Sequence, residues 1–169
     1  MAKYQTAPYR TIESDGQFEL RSYEAFYTAS VGSSKWETSD GFNQIFDYIS
    51  GNNATGEKIS MTTPVINELD PAASSTEFVM PSDYSAKALP TPRNSAVKIK
   101  SHDARMVASI RFSGTVWTKQ VKEQEEKLRA WVQTKGHQPV GTPRLARYNP
   151  PFMPPFLRRN ELLLDVKKI

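Results

Sequence analysis

The order of strand-like and helix-like segments occurs twice along the chain, and this repeat limits the fold more than any other feature. In the first half, alternating segments within residues 11–33 precede an apolar stripe at helical spacing, and extended segments follow within 57–80. In the second half, alternating segments within 96–114 precede a helical pattern over 118–135, and further extended segments follow. Apolar positions recur every three or four residues on a buried helix face, whereas they alternate on a half-buried strand.

We therefore predict an α+β fold in which a strand–strand–helix–strand–strand unit occurs twice, related by a pseudo-two-fold axis. The strands of the two units would pair into one antiparallel sheet, with both helices packed on one side. A chain of 169 residues is long enough for one domain with its own core. We expect that domain to span residues 1–169, with half-repeats at about 9–80 and 96–166.

Composition narrows the classes of function. The absence of cysteine excludes disulfides, thiol nucleophiles and cysteine metal ligands. The polar start of the chain and the lack of a long apolar run predict no signal peptide and no membrane span, so we expect a cytoplasmic protein. A net charge of +4 favours an anionic ligand over a cationic one, and no basic run is long enough to predict nucleic-acid binding. The oligomeric state stays open.

The chain offers little from which to build a catalytic site. Its two histidines, His102 and His137, fall where we expect turns, and a turn histidine is usually exposed. We therefore predict no catalytic residue and assign no metal ligand, which favours binding over catalysis.

A proline-rich segment, "NPPFMPPF" at residues 149–156, can be neither a helix nor a central strand. Each proline fixes its own φ and removes a backbone donor, and the residue before it is pushed towards an extended conformation. The segment is therefore a stiff loop that displays Phe152, Met153 and Phe156 just before Arg158 and Arg159. Two interpretations stay open: the loop covers one end of the sheet, or it contacts a flat apolar ligand with anionic groups.

Two motifs resemble a known family. "RYNPPFMPPFLRRNELLLDV", residues 147–166, closely resembles the C-terminal signature of the SOUL haem-binding protein family, and "KISMTTPV", residues 58–65, is similar to its other signature. The resemblance runs from about Tyr9 to Val166. It implies a twisted antiparallel sheet or distorted barrel with two helices, and a relation to the effector-binding domains of multidrug-sensing regulators.

The resemblance also implies non-covalent binding of haem or another tetrapyrrole by a carrier or buffer. In such proteins the ligand usually lies against the first helix and the proline-rich loop. The contacts implied for this chain are Lys35, Trp36, Phe42, Ile45, Phe46, Ile49, Tyr148, Phe152, Met153, Phe156, Arg158 and Arg159. Lys35 and the two arginines would face the propionates. The stripe from Phe42 to Ile49 also fits a core face, and part of it must be core.

Two alternatives stay open beside the carrier. The protein could be an enzyme acting on a tetrapyrrole or another apolar small molecule. It could also be an effector-binding-type sensor of apolar cations, with Glu161 recognising the positive charge. The simpler interpretation of Glu161 is an ion pair with one of the chain's own arginines. For haem iron, Met153 and Tyr148 are possible axial ligands, because neither histidine lies near the first helix.

Overall fold

The computed structural model describes residues 4–32, 36, 40–84, 88–150 and 152–169. The chain divides into two compact units: unit 1 is Met1–Ala7 with Ala25–Asp103, and unit 2 is Pro8–Glu24 with Ala104–Ile169. The elements in chain order are β1 (Gln5–Thr6), β2 (Tyr9–Asp15), β3 (Phe18–Tyr23), β4 (Phe26–Gly32), α1 (Asp40–Ile49), β5 (Thr62–Thr63), β6 (Val65–Glu68), β7 (Ser75–Val79), β8 (Val97–His102), β9 (Arg105–Phe112), α2 (Thr118–Thr134), β10 (His137–Arg147), a 3-10 helix (Pro155–Leu157) and β11 (Asn160–Lys168).

Unit 1 contains an antiparallel sheet in the order β6-β7-β4-β8, together with the short parallel pair β1-β5. Helix α1 packs on this sheet through Ile45, Tyr48 and Ile49, which are all nearly inaccessible to solvent. The same core contains Ala29 of β4 and Phe78 of β7. Side chains alternate along a strand, so the neighbours of these two residues point to the opposite face of the sheet.

Unit 2 contains a five-stranded antiparallel sheet in the order β2-β3-β9-β11-β10. The predicted apolar stripe of α2 is confirmed, because its buried residues are Val121, Leu128, Trp131 and Val132. Phe18 of β3 stacks on the Trp131 ring at 5.1 Å between centroids, and the indole N–H donates to Asp15 at 2.9 Å. The turn between β2 and β3 uses Gly16 at φ +59°, a conformation that favours glycine.

The predicted fold class is confirmed: antiparallel strands and two helices build an α+β protein. The predicted repeat is present as β3-β4-α1-β6-β7 followed by β8-β9-α2-β10-β11. In each unit the described strands form an open sheet rather than a closed barrel.

The two units do not correspond to two continuous halves of the chain. The first strand of each repeat joins the sheet of the other repeat, since β8 pairs with β4 and β3 pairs with β9. Each unit is therefore completed by a strand that a distant part of the sequence supplies.

Candidate functional site

An open cleft of about 310 Å³ lies at the C-terminal end of α1 in unit 1. We call it the α1 cleft; its lining residues are Phe46, Ile49, Ser50, Lys58, Ile59 and Met61. The helix supplies Phe46 and Ile49, and the "KISMTTPV" segment supplies Lys58, Ile59 and Met61. The first helix, which was predicted to contact a ligand, and one of the two family signatures therefore meet at one place within unit 1.

Backbone pairing fixes the two walls of the α1 cleft. The amide N–H of Ile59 donates to the carbonyl of Ile49 at 2.8 Å, which attaches the second wall to the end of the helix. Ile49 and Ile59 are buried, whereas the Phe46 side chain is 50% exposed. About half of Phe46 is thus accessible to a ligand, and two buried aliphatic residues lie beside it in the lining of the cleft.

Asn53 organises the turn that joins the two walls, and sequence reasoning missed it. Its side-chain amide donates to the carbonyls of Tyr48 at 3.1 Å and Glu57 at 2.8 Å. Its side-chain oxygen accepts hydrogen bonds from the backbone of Thr55 and Glu57. Asn53 is fully buried, so these bonds are shielded from water. The only signal in the sequence is the run of turn residues "GNNATG".

The lining of the α1 cleft suits an apolar ligand that carries an anionic group. Phe46 and Ile59 offer apolar surface, and Lys58 brings an exposed ammonium group to the rim. Met61 is half-buried, and its thioether belongs to the lining. A thioether is a soft ligand that can bind haem iron, whereas no histidine lines this cleft.

The other predicted residues on and near α1 have different environments. Ile45 is 1% exposed and belongs to the core, as part of the stripe had to. Phe42 is half-buried and stacks against Phe46, with 6.1 Å between ring centroids. Trp36 is also half-buried. Lys35 lies outside the described residues.

The proline-rich loop belongs to unit 2 and displays two phenylalanines to solvent. The side chains of Phe152 and Phe156 are 86% and 75% exposed. Met153 is half-buried, and its carbonyl accepts a hydrogen bond from Arg158 Nε at 2.8 Å. The loop does not cover the end of the sheet with these two aromatic rings.

Arg159 and Tyr148 contact Glu161. The Arg159 guanidinium lies 3.9 Å from the centre of the Tyr148 ring, and its Nη2 donates to Glu161 Oε2 at 2.9 Å. The Tyr148 hydroxyl donates to Glu161 Oε1 at 3.0 Å. Arg159 and Tyr148, which were both predicted as ligand contacts, therefore already donate hydrogen bonds to a carboxylate of the chain itself.

Arg21 is the main partner of Glu161, and sequence reasoning missed it. The guanidinium donates two bonds to the carboxylate, at 2.7 and 2.8 Å, and both residues are at most 1% exposed. Burial by itself raises the pKa of Glu161, but the hydrogen bonds and charges of Arg21 and Arg159 lower it by more. The interpretation of Glu161 as an internal ion pair is confirmed.

Unit 1 has its own buried carboxylate, Glu77, on the face of the sheet opposite α1. Thr28 Oγ1 donates to Glu77 Oε1 at 2.7 Å, Ser75 donates to Oε2 at 2.8 Å, and Lys100 lies 3.3 Å from Oε2. His102 Nε2 lies 2.9 Å from Glu77 Oε1. Burial raises the pKa of Glu77, but these hydrogen bonds and charges outweigh it and bring the pKa to about 2.

The expectation that His102 lies in an exposed turn is wrong. It ends β8, is 8% exposed, and stacks on Phe26 with 4.9 Å between ring centroids. Its Nε2 contacts both Thr28 and Glu77, at 3.1 and 2.9 Å. A hydroxyl–imidazole–carboxylate relay needs a different ring nitrogen for each partner, so this cluster does not form one. Among the described residues, no three histidine or acidic side chains are grouped so that they could hold a metal ion.

These features occur in a chain whose family is established. Residues 4–165 match the model of the SOUL heme-binding protein family, and the chain belongs to that family. No curated protein sequence is significantly similar.

Several solved structures share the fold. The crystal structure of the EcmrR C-terminal domain has a TM-score of 0.66 at 13% identity, over 90% of this chain and 98% of that one. A hydrolase from Listeria innocua has a TM-score of 0.61 at 11% identity, over 92% and 94% of the two chains. SAV2435 bound to tetraphenylphosphonium has a TM-score of 0.52 at 14% identity, over 89% and 93%. At such identities the likeness concerns the fold alone.

No helix in the part of the chain that the structure describes is both long and apolar enough to span a membrane.

Proposed function

We propose that this protein binds haem or a related tetrapyrrole without a covalent bond, as a carrier or buffer, and that the α1 cleft is the binding site. The observation that carries the proposal is the meeting of Phe46, Lys58 and Met61 in one cleft of a SOUL-family chain. We further propose a cytoplasmic location.

The chemistry of the cleft fits a tetrapyrrole. The ring system is flat and apolar, and apolar burial with a few placed polar groups is the usual basis of small-molecule binding. Phe46 offers an exposed aromatic face, and Lys58 offers a cation to a propionate. Because the cleft is open, the ligand would stay partly in contact with water, which suits exchange with other haem proteins.

Bound haem supplies an iron centre, and the residues of the cleft decide how that centre is held. Met61 would be the lining residue that binds the iron through its thioether sulfur. The earlier candidates Met153 and Tyr148 belong to unit 2 and do not line this cleft. The Tyr148 hydroxyl already donates a hydrogen bond to Glu161. A thioether bond alone would give a weakly held iron, in keeping with carriage rather than oxygen chemistry.

The remaining implied contacts stay predictions. Trp36 and Phe42 are half-buried residues of unit 1. Among the predicted residues that the structure describes, Phe152 and Phe156 are the most exposed apolar ones. Arg159 is the weakest candidate for a propionate contact, because Glu161 already pairs with it.

The sensor and enzyme alternatives receive less support. A cation sensor needs a carboxylate without internal cations, but two arginines pair with Glu161. SAV2435 binds tetraphenylphosphonium, and at 14% identity this shared fold does not outweigh that pairing. For an enzyme, the candidate cluster at His102 lacks a proton relay.

A titration with ferric haem tests the proposal, followed by the Soret band and by tryptophan fluorescence. We expect saturable one-to-one binding that Phe46→Ser weakens by about tenfold, because part of the apolar contact is lost. Ile12→Ser is the matched control, since Ile12 is an apolar residue of unit 2 that is similarly exposed, at 46%. Binding that does not saturate, or that Phe46→Ser leaves unchanged, would exclude the α1 cleft.

A second titration tests the role of Lys58. Lys58→Gln should weaken the binding of protoporphyrin but not of its dimethyl ester, because only the free acid carries the negative charges. Lys98→Gln is the control, since Lys98 is another exposed lysine of unit 1 and does not line the cleft. Equal losses for acid and ester would show that Lys58 contributes only apolar contact.

A further inference from the structure

Unit 2 carries a cluster of exposed apolar side chains that its core does not explain. Phe152, Phe156 and Leu157 of the proline-rich loop are 86%, 75% and 58% exposed, and Trp117, just before α2, is 67% exposed. We call these four residues the apolar lip. Single exposed apolar residues are ordinary on a protein surface, but a cluster of large ones marks an interaction site.

Backbone contacts bring the two parts of the apolar lip to the same end of the sheet. The amide of Gly114 donates to the carbonyl of Pro155 at 2.8 Å, and the side-chain amide of Asn160 donates to the carbonyl of Gly114 at 3.1 Å. Phe112, which ends β9, is the register partner of Asn160, which begins β11. The loop that follows β9 and the proline-rich loop that precedes β11 therefore lie side by side at one end of the sheet.

Hydrogen bonds brace the described part of the proline-rich loop. Turn bonds run from the amide of Met153 to the carbonyl of Pro150 at 3.0 Å and from the amide of Leu157 to that of Pro154 at 2.9 Å. The Arg158 side chain adds a bond to the carbonyl of Met153. A loop that is stiffened in this way loses little conformational entropy when its phenylalanines enter another phase.

The chain segments that carry the apolar lip are cationic. The stretches 104–122 and 139–160 contain lysine and arginine but no aspartate or glutamate, and the first acid after Trp117 is Glu123. Arg111, Lys119 and Lys122 are exposed, and none of them forms an ion pair with any residue that the structure describes. Exposed apolar side chains beside unpaired cations complement a surface that is apolar within and negative outside.

We propose that the apolar lip docks this protein on the surface of a bilayer that contains anionic phospholipid. Aromatic side chains are favoured at the boundary between headgroups and acyl chains, and each nearby lysine or arginine adds attraction to anionic headgroups. Phe152 and Phe156 enter the bilayer, while Lys119 and Lys122 stay among the headgroups. The protein thus reaches a membrane surface, where apolar ligands such as tetrapyrroles accumulate.

Sedimentation of the full chain with vesicles tests this inference in the absence of haem. Vesicles of equal parts phosphatidylcholine and phosphatidylserine should bind the protein, and vesicles of phosphatidylcholine alone should bind it far less. The double variant Phe152→Ser/Phe156→Ser should lose roughly tenfold or more in partitioning. Lys119→Gln/Lys122→Gln should weaken binding only to the anionic vesicles, and added salt should mimic that change.

The matched control is the double variant Ile12→Ser/Val140→Ser. Both residues lie on strands of unit 2 and are 46% and 45% exposed, so the control removes a similar kind of apolar surface away from the lip. We expect it to bind vesicles like the unaltered protein. All of these positions are exposed, and circular dichroism verifies that each variant is folded.

Fluorescence gives a second measurement. Trp117 emission should shift to the blue on anionic vesicles, and Trp117→Phe should abolish that shift while it preserves sedimentation. Failure of the unaltered protein to bind, equal binding to both kinds of vesicle, or full binding by Phe152→Ser/Phe156→Ser would overturn the inference. Because no haem is present, none of these outcomes bears on the proposed tetrapyrrole site.

Discussion

Glu77 and Glu161 are the buried carboxylates of corresponding strands, β7 in the first repeat and β11 in the second. Each is at most 1% exposed, and the pKa of each is lowered. Their partners differ: two arginines neutralise Glu161, whereas Glu77 is bound by two hydroxyl groups, His102 and one lysine. The same place in the repeat has thus been stabilised by two different sets of side chains.

We predict that Arg21→Met destabilises the protein by about 3 to 5 kcal/mol, because it leaves a buried carboxylate without its bidentate partner. Arg159 would still pair with Glu161 but is itself half-exposed, so it cannot replace both bonds. Urea unfolding, followed by circular dichroism, measures the change.

Arg129→Met is the control for the loss of an ion pair as such. Arg129 pairs with Glu125 one helical turn away at 2.8 Å and donates an exposed bond to the carbonyl of Gly141 at 2.8 Å, and both side chains of the pair are about one-third exposed. A pair of this kind contributes about 0 to 1 kcal/mol. If Arg21→Met costs no more than Arg129→Met, the buried pair does not stabilise the fold.

The second prediction concerns the free energy of unfolding at acidic pH. The pKa of Glu77 is about 2 in the folded protein, against an ordinary value of 4.5. A carboxylate whose folded pKa is depressed stabilises the fold above its unfolded pKa, and that contribution is lost as the pH falls towards the folded pKa. We therefore expect the free energy of unfolding to fall by about 3 kcal/mol between pH 4.5 and pH 2 on account of Glu77 alone.

Glu77→Gln isolates this contribution. The amide cannot titrate, so the variant should be less stable at neutral pH and lose less stability over the same acid range. Glu57→Gln is the control, because Glu57 is exposed. Parallel acid profiles for Glu77→Gln and the unaltered protein would contradict the prediction.

The order of elements could be predicted from the sequence because it depends on local periodicity. The α2 stripe of Val121, Leu128 and Trp131 repeats at helical spacing within a few turns, and all three residues are buried as expected. The exchange of β3 and β8 between the repeats could not be predicted, since strand pairing depends on contacts between distant segments. Local patterns contain no information about such partners.

The same contrast between local patterns and distant contacts applies to the candidate site. Phe46 was predicted from a helical stripe and lines the α1 cleft, whereas Lys58 and Met61 line it without having been predicted as contacts. Arg21 and Glu161 are 140 residues apart in sequence, so their pairing was invisible until the sheet was known. His102 was assigned to the surface because a histidine near a turn usually lies there, but the buried Glu77 provides a partner that no sequence pattern indicates.

The last prediction concerns the turn that supports the α1 cleft. Asn53→Ala should destabilise the protein by about 1 to 3 kcal/mol and weaken haem binding, because buried backbone groups of Tyr48 and Glu57 lose their partners. The neighbouring Asn52→Ala is the control, since the bond that it removes is an exposed one, from the Asn52 side chain to Asp47 at 2.8 Å. Thermal unfolding and haem titration of both variants give the comparison.

If Asn53→Ala lowers the melting temperature while haem affinity is unchanged at a temperature where the variant is folded, the turn stabilises unit 1 but does not shape the site. If both quantities fall for Asn53→Ala and neither falls for Asn52→Ala, the buried asparagine positions the wall that carries Lys58 and Met61.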